Sequence, residues 1–171
     1  MNELNTHHAL EMIAFHTWAN ETMIRRLQEL PADAYRREVT SSFPTLADAL
    51  AHIYRVDRGW LLMMQGVRMA DAMEATAHLD DEIRALSLEA AEAAFRSQGE
   101  EIAAFLRSRD DLDAVLTLDN PYAGIRDVKL SEMALQIVNH GTYHRGNMSA
   151  MLRQMGIPSV MTELALYWYV R

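Results

Sequence analysis

Two histidines four residues apart, His140 and His144 in the run HGTYHRGNM, are the residues of this 171-residue chain best placed to do chemistry. On a helix, positions i and i+4 sit on one face, ~5–6 Å apart at Cβ, so two imidazoles there can grip one metal ion. The spacing alone is common; its setting gives it weight. At 100° per residue both histidines fall within the stripe Met133, Ile137, Met148 and Met151, which has to face a core. An unsatisfied buried polar group costs roughly 1–3 kcal/mol, and a shared metal would satisfy both rings at once.

His52 carries the same argument on another helix. It falls in the stripe Ala49, Val56, Trp60 and Met63, with Ile53 alongside. One core-facing histidine is usually satisfied by a local hydrogen bond. Three, on two helices able to pack together, point to a His₃ site. Three neutral imidazoles leave coordination positions open, the pattern of a catalytic site rather than a closed structural one. The chain has no cysteine, which excludes thiolate ligands, disulfides and thiol nucleophiles. No Glu stands three residues before any of the three histidines, as a di-iron bundle would need, and HExxH, GxSxG and glycine-rich phosphate loops are absent.

Other polar residues carry two readings each. His16 and Asn20 lie near the Ile13, Ile24 and Leu27 face of the first helix. They either line a cavity above the metal and contact a substrate, or bond locally. Arg145 either binds a substrate carboxylate or bridges helices. Asp57 is about 140° around the helix from His52, a poor position for the same metal. Tyr54 and Tyr143 point away from their ligand neighbours. His7, His8 and His78 are expected in solvent. The 12 methionines read as core filler.

The elements that position these residues are helical. Ala, Leu, Met, Glu and Arg are abundant, while Gly (7) and Pro (4) are sparse. Apolar periodicity predicts a first helix from about Leu4 to Leu30, closed by Pro31, then a loop over 32–44. A second helix starts at the Thr45–Asp48 capping box and stops at Gly66. Residues 67–86 read as a long connection with one helical turn near 80–85. A third helix spans about Ser87–Arg107, with Ala91, Ala94, Phe95, Ile102, Phe105 and Leu106 as its apolar positions. Val115–Leu118 and Ile125–Val128, around Asn, Pro and Gly, predict a small hairpin laid on the helices. The fourth helix runs from Leu130 or Ser131 to about Met155. A short last helix covers Thr162–Tyr169, with Tyr167, Trp168 and Tyr169 packed outside. No linker or repeat divides residues 1–171, so one all-α, four-helix-bundle domain is expected.

Composition limits the partners. The net charge is −8, which disfavours phosphate backbones. No stretch approaches the ~18–20 apolar residues of a membrane span, and the N-terminal residues do not read as a signal peptide. A cytoplasmic protein without nucleic-acid or membrane partners is the expectation.

Taken together, HIYRVDRGW, HGTYHRGNM and LRQMGIPS, with FHTWAN and TLADALAHI upstream, resemble the DinB/YfiT-like superfamily over nearly the whole chain. The resemblance implies an up-down-down-up four-helix bundle, often a homodimer. It implies one divalent metal, with Zn, Ni or Fe foremost, on His52, His140 and His144. Members often carry Gln where this chain has Asn147, a position outside the ligand set. Characterised relatives include transferases that use a low-molecular-weight thiol, isomerases and hydrolases. The implied activity here is a metal-dependent thiol S-transferase acting on a small electrophile. A hydrolase, or a non-catalytic metal-binding stress-response protein, are the alternatives.

Overall fold

A computed structural model describes residues 7–31 and 33–171 of the chain. In chain order the elements are α1 (His8–Gln28), a 3₁₀ turn (Ala34–Arg36), α2 (Leu46–Met64), α3 (Met69–Thr76), α4 (Leu79–Ala85), α5 (Leu88–Arg107), β1 (Val115–Asn120), β2 (Gly124–Lys129), α6 (Leu130–Gln154) and α7 (Leu164–Tyr167). The fold is mostly helical, with one two-stranded antiparallel hairpin. The expected helix start at Leu4 lies outside the described residues, as does Ala32 in the loop.

Local chemistry fixes most helix ends. His7 Nδ1 accepts the Ala9 amide at 3.1 Å, capping α1. At α2, Thr45 Oγ1 accepts the Asp48 amide at 3.1 Å and donates its own proton to the Asp48 carboxylate at 2.6 Å. Ser87 caps α5 by accepting the Ala90 amide at 3.2 Å. Gly66 closes α2 at φ 95, and the Val67 amide returns to the Leu62 carbonyl at 3.0 Å. That left-handed step suits glycine because a side chain would be strained there.

The connection over 67–86 departs from expectation. It holds two helices, α3 and α4, both packed on α2. Met69, Ala72 and Thr76 bury one face of α3 at helical spacing, a signal present in the sequence but short. The hairpin forms in the expected place, with Val115 paired to Lys129 and Asn120 to Gly124. Its Leu116, Leu118 and Val128 lean on the core, which gives the two strands the support they need. Of the three C-terminal aromatics, only Tyr167 packs, with its ring 5.4 Å from Trp18 and 5.8 Å from Phe15. Trp168 and Tyr169 are exposed.

The four long helices share two apolar clusters. One holds the first half of α1, the last turns of α2 and α5 and the start of α6. The other holds the end of α1, the starts of α2 and α5 and the end of α6. Hence α1 and α6 run one way through the core, and α2 and α5 run the other. Between the clusters lies a polar layer to which every long helix contributes: His16 and Asn20 from α1, Asp57 from α2, Gln98 from α5 and Arg145 from α6, each buried.

The phasing of α2 needs correction. Ala49, Ile53 and Met63 are buried as expected, but the buried face is wider and centres on Leu46, Leu50, Ile53, Asp57, Leu61 and Met64, one position away from His52, Val56 and Trp60. Val56 and Trp60 are half-buried, and His52 sits beside them at the margin of the core rather than at its centre. On α6 the deepest face runs through Ile137, Gly141, His144, Arg145 and Met148, which leaves His140 half-buried.

Candidate metal centre

His52 on α2 and His140 and His144 on α6 converge where these two helices pack together. His140 Nε2 lies 3.1 Å from His52 Nε2 and 3.0 Å from His144 Nε2. A metal held at ~2.0–2.1 Å by imidazole nitrogens needs those nitrogens roughly 3–3.4 Å apart. His140 therefore already stands at that spacing from both other rings, and the three ligand atoms all lie within 4.8 Å of one another, close enough for one ion to draw them together. Each pair of facing nitrogens can share only one proton, so three like nitrogens satisfy one another poorly. A single cation would serve all three.

Electrostatics leave the lone pairs free. Burial, reinforced by the neighbouring His144 and His52, pushes the His140 imidazole down to about 3. Burial and His52 bring His144 down to about 4, against an opposing pull from Asp57. His52 is lowered by burial and then by Arg55, with Asp80 opposing. All three rings are neutral near pH 7, the form that binds metal.

The surroundings of the trio are uneven. Asn147 Nδ2 lies 3.3 Å from His144 Nδ1, and the oxygen end of the same carboxamide is the one able to accept an Nδ1–H. Arg55 Nη2 stands 3.3 Å from His52 Nδ1, while its Nε pairs with Asp80 at 2.9 Å. Phe43, from the loop before α2, lies with its ring 5.1 Å from His52 and 5.2 Å from His144. Tyr143 flanks His144 at 5.0 Å and is exposed. Phe43, Arg55 and Asp80 were missed from sequence because two of them come from elements outside the ligand helices. Two cavities, ≈ 640 Å³ (lined by Phe15, Val138, Thr142, Gly146, Met161 and Leu164 among others) and ≈ 750 Å³ (lined by Arg153, Ile157 and Pro158 among others), adjoin α6, and none of the three histidines lines either.

The three residues expected to reach a substrate are brought together, but in the interior. His16 and Arg145 are 2% exposed and Asn20 is 3%. Arg145 Nη1 donates to Asn20 Oδ1 at 2.7 Å and to His16 Nδ1 at 3.3 Å, and Nη2 donates to Thr142 Oγ1 at 2.9 Å. His16 Nε2 lies 2.7 Å from Asp57 Oδ2, with Asn20 Nδ2 at 3.0 Å from the same nitrogen. Arginine can only donate, so His16 Nδ1 is the acceptor and its proton is on Nε2, facing the carboxylate; Asn20 Nδ2, turned inward because its oxygen accepts from Arg145, then adjoins that N–H without a hydrogen bond to it. Burial lowers Arg145 to about 10, partly offset by Asp57, which leaves it a cation at neutral pH. Asp57 was set aside because it cannot share a metal with His52. The structure agrees on that point and gives it this other partner. The signal was its place in the Leu50, Ile53, Leu61 heptad pattern of α2.

Comparison with known proteins matches this arrangement to one family. The family model described as DinB family matches residues 1–170. Protein DinB of Bacillus subtilis (strain 168) is similar, 36% identical over 162 residues that cover 95% of this chain and 94% of that protein. With a match running the length of the helices that carry the three histidines, the chain belongs to the DinB family.

Proposed function

We propose that the protein is a divalent-metal-dependent enzyme whose metal is held by His52, His140 and His144 in an up-down-down-up four-helix bundle formed by α1, α2, α5 and α6. The observation that carries this reading is the approach of the His140 Nε2 to those of His52 and His144 at about 3 Å, with all three ligand atoms within 4.8 Å of one another. Zn, Ni or Fe suits an all-imidazole donor set. When bound, such an ion acts as a Lewis acid and lowers the pKa of a nucleophile delivered to it. The chain's own part is to hold three neutral donors in register and to keep water partly away from them with Phe43.

The reaction favoured is transfer of a low-molecular-weight thiol to a small electrophile, which rests on the family. A hydrolase would use the same ligands, and thiol dependence of turnover separates the two. A non-catalytic metal-binding role in stress response has its own support: Phe43 packs against His52 and His144, and the two large cavities lie elsewhere. Substrate contact by His16, Asn20 or Arg145 would require the long helices to part, since each is buried and bonded to the others. A cytoplasmic homodimer is the expected state. No helix among the described residues is long and apolar enough to cross a membrane. Exposed Leu135 on α6 and Met161 in the segment after it line one cavity and suit a partner copy.

The test is elemental analysis of purified wild type beside His52→Ala, His140→Ala and His144→Ala. One equivalent of metal in wild type, lost in each variant, is the expected result. Equal metal content in all four would end the metal reading. A screen of thiols against electrophiles, with the same variants as blanks, then decides between transfer and mere binding.

A further inference from the structure

We infer that Asp57, His16 and Arg145 are positioning residues for the histidine trio: they clamp α2 to α6 through the ring of His16 and so set the distance of His52 from His140 and His144. The inference rests on the metal reading above. Three contacts carry it. The first is at Gly141, between the two ligands of α6. A Cβ there would overlap His16 Cε1 and come within 2.9 Å of Arg145 Nη1, so the imidazole of His16 lies directly on the α6 backbone. The second is Asp57, on the same helix as His52, which takes the Nε2 proton of that ring at 2.7 Å. The third is Arg145, next to His144, which donates to the opposite ring nitrogen and to Asn20 of α1.

The arrangement is directional and leaves little slack. The two nitrogens of His16 face different partners, one anionic and one cationic, so the ring has one tautomer and one orientation. An anion on α2 and a cation on α6 are thereby joined through a buried ring from α1. Sliding α2 against α6 would break a charge-assisted hydrogen bond in a dry interior, where leaving either partner unmatched is expensive. The ligand helices are held by groups with no contact to the ion itself. The same bonding explains why these residues are polar at the centre of an otherwise apolar core.

Co(II) titration of the full-length protein tests the idea, because its visible bands report coordination geometry as well as affinity. Asp57→Ala is expected to weaken Co(II) binding at least tenfold and to change the band pattern. In Asp57→Asn, a carboxamide oxygen can still accept the Nε2 proton, and affinity should return to within about threefold of wild type. Ile24→Ala, a core truncation away from the layer, serves as the stability control and should keep wild-type affinity and spectrum. Unchanged binding in Asp57→Ala, or an equal loss in Ile24→Ala, would overturn the positioning role while leaving the metal site intact. Wild type that binds no Co(II) through His52 would overturn both. Should Asp57→Ala fail to fold, imidazole ¹⁵N shifts of wild type decide: a proton on Nε2 of His16 supports the clamp, and one on Nδ1 excludes it.

Discussion

Two groups of histidine-centred polar residues lie close together in this protein, and they satisfy themselves in opposite ways. In the interior layer His16 is almost fully buried, yet each ring nitrogen has an unlike partner, Asp57 on one side and Arg145 on the other. It needs nothing further. The trio is less deeply set, with His52 and His140 half-buried, yet its three nitrogens face only one another. Like groups cannot complete each other's hydrogen bonding, and a cation can complete all of them. Depth alone therefore does not mark a metal site. What marks it is a set of identical donors turned inward with no complementary partner.

The contrast can be attacked from its strong side first. Asp57→Leu strands the Arg145 cation in the core and should cost roughly 3–5 kcal/mol in urea unfolding of the metal-free protein. His140→Ala should cost far less without metal, because that ring is half-exposed and its contacts are poor. If the order is reversed, the interior layer is not the more tightly coupled of the two. The next largest effect belongs to metal itself. A saturating ion at 100 times its dissociation constant should stabilise wild type by about 2.7 kcal/mol and leave His140→Ala unmoved, read as a shift in unfolding midpoint.

Acid should act on the trio. His140 and His144 titrate at about 3 and about 4 when folded, against about 6.5 when unfolded. Between those limits the unfolded chain binds more protons, so stability is full above pH ~6.5 and is lost as pH falls toward 3. Thermal melts of metal-free protein at pH 7, 6 and 5 should show a falling midpoint, shallower in a His140→Ala variant. The smallest effect expected is at the rim. Arg55 places a like charge beside His52. Arg55→Met should tighten metal binding several-fold in a competition titration, and a weaker affinity would show instead that Arg55 helps orient the ring.

Much of the frame was legible from residues alone. The cap at Thr45, the helix start near Ser87, the stop at Gly66 and the hairpin over 115–129 depend on neighbours a few residues apart, and they fall where sequence places them. The periodicity of α6 correctly put His144 on a buried face. The buried face of α2 is wider than the expected stripe and is centred one residue away from His52, Val56 and Trp60, because two adjacent stripes are both apolar. That slip moved His52 too deep and hid Asp57. The helix α3 escaped notice because eight residues give too short a period to stand out.

Sequence by itself therefore determined which of the long segments are helices, that cysteine chemistry is excluded, and that His140 and His144 share one helix face. These follow from local backbone preference and from the 3.6-residue period. Only the tertiary structure decided which polar residues complete one another. His16 meets Asp57 across 41 residues and Arg145 across 129, and His52 meets His140 across 88. Those distances along the chain close only when helices pack, and it is the unlike or like chemistry of the partners so joined that separates a buried layer of matched donors and acceptors around His16 from a cluster of like donors that could hold a metal.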